Sequence, residues 1–291
     1  MTTQTTVIAL RSAHALRRKV ADGFATAALV ACLVLALAPL VLILSVVLAK
    51  GLGSMTIAFL TQTSISLRDP AGGWLHGLVG SLYMLALAVV IVLPLGIAAA
   101  LYLVEFARER MTGPVRFFTD VMTGVPSIFV GLFVYASLVG LIGFGTFVGA
   151  VSLAILMLPI VVRSSEEILK LVPNDLRQGA YALGSRRWQV ALRVVVPAAG
   201  PGLVTGSMLA VARALGETAP LILTAFGAIE IVGKIQGTPQ AALTLLIFQG
   251  ARSPFEAAKA KAWAGALELM LLVLLITIAA RLITARWARS R

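Results

Sequence analysis

Residues 163–220 read RSSEEILKLVPNDLRQGAYALGSRRWQVALRVVVPAAGPGLVTGSMLAVARALGETAP, and the way this stretch divides decides the fold. Its first part is polar and basic and lies between two apolar runs. It then passes Pro197 into an apolar, helix-like segment that carries Arg213 and Glu217. A structured loop outside the hydrocarbon thus adjoins an ionisable pair inside it, where charge marks function by default.

The rest of the chain supports that division. It is 59% hydrophobic and only 12% charged over 291 residues, whereas soluble domains carry about 25% charged residues. Several apolar runs exceed the roughly 20 residues a helix needs to cross a bilayer. The expected fold is an all-α polytopic membrane protein with six transmembrane helices. Residues 1–23 form a polar N-terminal segment, 24–49 the first span and 50–75 an external segment. The first apolar run is longer than the roughly 7–15 residues of a signal-peptide core and is read as uncleaved. Residues 76–285 hold the remaining spans, and 286–291 form a tail. Within that region the spans are expected at 75–106, 121–142, up to 162, 203–226 and 263–283. Residues 104–120 read as a short basic loop and 227–262 as a longer polar stretch.

The net charge of +12 does not point to nucleic acid, because most Lys and Arg flank apolar runs. With both termini inside, 17 of the 24 basic residues fall in cytoplasmic segments, six in external ones, and Arg213 within a span. That asymmetry predicts an N-in, C-in topology. Trp74, Trp188, Trp263 and Trp287 fall near span ends or in loops, as interfacial anchors do. Cys32 is the only cysteine, and His14 and His76 are far apart, so no metal site is expected. A G-x-x-x-x-G-K-S/T phosphate loop is missing, as are Ser/His/Asp and H-E-x-x-H sets. The chain is therefore expected not to be an enzyme and to bind no cofactor of its own.

Residues 163–196 are too long for a turn. A short helix around Glu166–Leu171, a break at Pro173, a cap at Asn174 or Asp175, a second helix to Leu183 and a turn at Gly184 are expected. Two readings fit: a projection that docks in another protein's groove, or an interfacial loop whose arginines hold lipid head groups. LRQGAYALGSRRWQVALRVVVPAA resembles the EAA loop of ABC-importer permeases: E-A-A, three residues, Gly, nine residues, I-x-L-P. Gln178, Gly179 and Ala180 occupy the E-A-A positions; Gly184 and Pro197 keep the spacing. The resemblance implies coupling helices within 163–197 that fit a cleft in an ATPase subunit. Gln178 keeps the hydrogen-bonding capacity of the family's Glu without its charge.

Arg213 and Glu217 are four apart, so on a helix they share a face. They are either a mutual ion pair locking the span, or a forked cationic donor set offered to a passing oxyanion and oriented by Glu217. Thr218 and Thr205 are candidates for the same route, although a membrane-embedded Thr commonly bonds its own backbone. TGSMLAVARALGETAPLILTAFG (205–227) is similar to the phosphate-specific importer permeases, which carry RA-x-GETAPL. GVPSIFVGLFVY (124–135), residues 80–107 and AWAGALELMLLVLLI (262–276) resemble the same family, its PstA branch in particular. The resemblance spans roughly residues 72–285. It implies a type I ABC-importer permease (MetI-like) fold in a bacterial cytoplasmic membrane. It also implies three partners: a PstC-like sister permease, a PstB-like ATPase dimer that handles ATP and Mg, and an external PstS-like phosphate-binding protein. A permease for sulfate, molybdate or phosphonate is the alternative within that class, and an intramembrane lipid-phosphate enzyme the alternative outside it.

Overall fold

The computed structural model describes residues 2–63, 66 and 72–289; residues 69–71 and the side chains of His14 and Trp287 lie outside the described set. Among the described residues the fold is helical, with two isolated bridges, Thr63 to Trp74 and Phe226 to Gln240, and no strand. Two compact units divide at Ala49 and Lys50. The first is a single helix: α1 runs Thr2–Leu52 with Pro39 inside it, so the helix covers the polar N-terminal segment as well as the apolar run.

The second unit starts with a short helix, α2 (Ile57–Thr61), whose N-cap Thr56 accepts a hydrogen bond from the Phe59 amide. α3 (Leu75–Leu101) follows and ends in a π turn, Tyr102–Phe106. α4 (Glu109–Gly124) and α5 (Ser127–Val134) come next; a π turn, Tyr135–Val139, leads on to α6 (Gly140–Ile142). α7 (Thr146–Lys170) is the most enclosed long helix, packed by α3 and α10 (Val196–Gly216). α8 (Asn174–Ala182), α9 (Arg187–Val190) and the π turn Ala191–Val195 lie between α7 and α10. α11 (Ala219–Thr224), α12 (Leu243–Arg252) and α13 (Glu256–Arg289) complete the chain.

The core is built where small residues let helices approach. Met84, Ala88 and Val92 of α3 meet Leu153, Met157 and Val161 of α7 and Ala210, Val211 and Ala214 of α10. A Cβ on Gly96 would lie 2.7 Å from Val161, and one on Gly149 2.5 Å from the Met84 sulfur. Among the described residues five helices are long and apolar enough to cross a membrane, or six if the bent pair α4–α6 counts as one span. The six-span expectation holds on the second count, but several boundaries move.

The basic loop expected at 104–120 is mostly α4, an amphipathic helix. It meets α5–α6 at 99°, because Pro126 cannot donate into a continuing helix and disfavours helical backbone in Val125. The helix expected from Val121 is thus broken, and its apolar part restarts at Ser127. The separate helix expected at Glu166–Leu171 is the end of α7, which runs unbroken to Lys170. Arg187–Gly216 is one continuous helical stretch. Pro197 sits inside it because the π turn closes with the Val196 amide on the Ala191 carbonyl, absorbing the misfit. The fifth span therefore starts earlier than Leu203 and ends at Gly216 rather than Phe226. The polar stretch expected at 227–262 contains α12, a helix whose first turn is buried, and α13 begins at Glu256 rather than Trp263.

α12 is about 15 Å long, too short to cross. It lies instead against α3 and α13. The Ser81 hydroxyl accepts the Leu243 amide at 2.8 Å, and Gly80 leaves room for the backbone before it. A Cβ there would lie 2.1 Å from the Ala241 carbonyl oxygen. Gly80→Val should therefore destabilise the fold by about 1–3 kcal/mol, read as a lower unfolding temperature in detergent. Gly113→Ala, whose Cβ meets nothing within 4 Å, is the control and should leave that temperature unchanged or raised.

Candidate functional site

The helix carrying Arg213 stops where its sequence makes it stop. Gly216 is a weak helix former, and Pro220 has no amide to donate to the Gly216 carbonyl four residues back. Glu217 is the C-terminal cap with extended backbone (φ −74°, ψ 127°), and its amide bonds the Ala214 carbonyl at 3.2 Å. Thr218 opens α11, with Pro220 in its first turn, where a missing amide is harmless. The Glu217 carbonyl freed by the break accepts the Thr244 hydroxyl of α12 at 3.1 Å.

Arg213 and Glu217 are paired, as Nε to Oε1 at 3.4 Å. They do not share one helix, however: Glu217 reaches back across the break. The Arg213 side chain is 52% exposed and that of Glu217 14%. Among the described residues the guanidinium's terminal nitrogens have no protein partner, so the fork faces outward with donors available. Thr218 is half-buried and gives no cap bond. Thr205 bonds its own helix, hydroxyl to the Pro201 carbonyl at 3.0 Å.

An ionisable residue in a candidate span that was not singled out from the sequence is Glu268. Glu268 of α13 is 5% exposed, and neither carboxylate oxygen has a partner among the described residues. It is the single acid in AWAGALELMLLVLLI, which is the signal that would have found it.

At the other end of α10 the polar loop is folded. α8 ends in a Schellman turn: the Gly184 amide bonds the Tyr181 carbonyl at 2.9 Å and the Ser185 amide the Ala180 carbonyl at 3.1 Å. Gly184 has φ +80°, a conformation glycine adopts freely. Gln178 and Gly179 are exposed. Ala180 is half-buried against the cluster of Leu169, Val190 and Val195. Neither Asn174 nor Asp175 caps α8; its cap residue is Pro173, and Asn174 Oδ1 instead accepts Arg177 Nη1 at 3.2 Å. Leu171, Leu176, Tyr181, Leu183 and Trp188 are exposed on this loop, an apolar cluster of the kind that marks an interaction surface.

Residues 92–289 match the family described as the binding-protein-dependent transport system inner membrane component. The chain is 39% identical over 281 residues to phosphate transport system permease protein PstA 1 of Mycobacterium tuberculosis H37Rv, covering 95% of this chain and 91% of that one. This chain belongs to that permease family, in its PstA branch. It is also 40% identical over 249 residues to PstA of Yersinia pestis, covering 85% and 84% of the two chains. PstA of Haemophilus influenzae is 40% identical over 242 residues, covering 82% and 85%. In fold the permease is similar to a chain of the inward-facing MetNI methionine ABC transporter, with TM-score 0.56 at 20% identity, covering 73% of this chain and 93% of that one.

Two contrasts follow for the permease. Gly179→Ala places its Cβ in open space on a helix and should stabilise by about 0.5–1 kcal/mol. Gly184→Pro cannot reach φ +80° and should expose the 180–190 segment to limited proteolysis. Glu268→Gln keeps shape while removing an ionisable group from a buried site, so the unfolding temperature in detergent should hold or rise; a fall would show that the ionised form has a partner.

Proposed function

We propose that this chain is the permease subunit of an ATP-driven importer of inorganic phosphate in a bacterial cytoplasmic membrane, with both termini inside. The observation that carries the reading is the near full-length match to relatives named phosphate transport permeases. In this reading ATP and Mg are handled by a separate PstB-like ATPase dimer seated on α8, the Gly184 turn and α9. A PstC-like sister permease completes the path, a PstS-like binding protein delivers phosphate from outside, and this chain binds no cofactor. Gln178, Gly179, Ala180, Gly184 and Pro197 belong to the coupling loop; Arg213, Glu217 and Thr218 line the path.

Chemistry supports the assignment of the path. A guanidinium held at Nε by Glu217 still presents its remaining N–H donors to an oxyanion. The carboxylate keeps part of the positive charge compensated, so a bound anion is not trapped. The break at Glu217 and Thr218 supplies a joint at which α10 and α11 can tilt separately.

The test is uptake of labelled phosphate by the complete complex in proteoliposomes, with sulfate and molybdate as competitors. Arg213→Ala should assemble normally and lose at least about ten-fold in uptake, the effect of one charge-assisted contact. Arg213→Lys should fall between the two. Wild-type uptake by an assembled Arg213→Ala complex would remove Arg213 from the path, and displacement of phosphate by sulfate would reassign the substrate.

A further inference from the structure

Arg177 precedes the exposed Gln178 on α8, yet its own side chain is 13% exposed and turned into the bundle. Its Nε donates to Oε1 of Glu105 at 3.0 Å. Nη2 donates to the Leu169 carbonyl at 2.9 Å, and Nη1 to the Val172 carbonyl and, at 3.2 Å, to Asn174 Oδ1. Glu105 is 6% exposed and lies in the π turn that ends α3. Leu169 lies in the last turn of α7 and Val172 just past its end, where carbonyls lack the intrahelical amides of the turns before. One guanidinium therefore binds the ends of α3 and α7 at once.

α8 has no buried residue of its own. Its apolar contact with the bundle is the half-buried Ala180 on the cluster that includes Leu169 and Val190. Such contact is non-directional and lets a helix slide, whereas forked charge-assisted hydrogen bonds hold distance and direction. α7 is fixed next to this point by a second buried carboxylate. Glu166, 1% exposed, receives Arg116 of α4 at Nε (2.7 Å) and Lys170 of its own helix (2.6 Å).

We propose that Arg177, through Glu105 and the α7 carbonyls, is the positioning residue that converts displacement of α8 into movement of α3 and α7. The inference rests on the importer reading, in which α8 is the element an ATPase displaces. Arg177 touches neither ATP nor substrate; it acts by making α8 and two spanning helices move as one body. A pull on α8 without this link would be absorbed by sliding at Ala180.

The experiment uses the assembled complex with its ATPase, sister permease and binding protein in proteoliposomes, measuring labelled phosphate uptake and ATP hydrolysis together. Glu105→Gln and Arg177→Lys should keep hydrolysis near the wild-type rate while phosphate moved per ATP falls by about ten-fold, a typical coupling between sites. The double variant Glu105→Gln/Arg177→Lys should lose no more than the worse single one, because the two residues act as a unit. An unchanged ratio in both single variants overturns the proposal. So does a loss of uptake and hydrolysis in parallel, or failure of both to assemble, since each marks a purely structural anchor. A wild-type complex that moves no phosphate would instead refute the importer reading itself.

Discussion

A carboxylate taken out of water must meet a cation or become neutral, and this constraint organises one end of the permease. Glu105 and Glu166 are both nearly inaccessible. Each is met by basic residues from elements far along the chain, Arg177 by one and Arg116 by the other. Breaking one partner of such a buried pair is far more damaging than never having had it. The pairs therefore commit α3, α4, α7 and α8 to one arrangement of their ends. The apolar faces of these helices permit several small slides; the ion pairs select among them.

The opposite end of α10 is ordered by backbone rather than charge. A helix that stops at Gly216 leaves carbonyls without partners, and α12 meets this need through Thr244 on the Glu217 carbonyl. α12 is in turn fastened to α3 through Ser81 and the close approach at Gly80. Irregular backbone at membrane depth is tolerated where protein surrounds it. The break leaves Glu217 as the cap just past α10, so its pairing with Arg213 depends on the extended backbone there rather than on helix periodicity. Phe226, at φ +65° with a bulky side chain, stacks on Phe144 at 4.8 Å. It closes α11 with a conformation that tertiary contact must sustain.

The proposed transport cycle assigns the two ends different tasks. Around α8 a rigid set of ion pairs and an exposed apolar loop are suited to receiving a push. Around Glu217 a broken helix and an outward-facing guanidinium are suited to changing access for an anion. α7, packed by both α3 and α10, joins them through the main core, and a densely packed helix transmits displacement because it has little room to deform.

The all-helical, multi-span character and the turn at Gly184 within a polar connection were determined by sequence alone. Hydropathy over about 20 residues and a positive φ are local properties, visible without knowing what packs where. Arg213 within a helix long and apolar enough to span was legible for the same reason. Tertiary structure alone decided which charges meet, because Glu105 and Arg177 are 72 residues apart and Arg116 and Glu166 are 50 apart. It also decided that α7 continues past Val162 to Lys170, since a polar face becomes helical once Glu166 is neutralised by its neighbours. Folding α4 across α5 and seating α12 inside the unit likewise required partners, because short helices are stabilised by the surfaces they cover more than by their own residues.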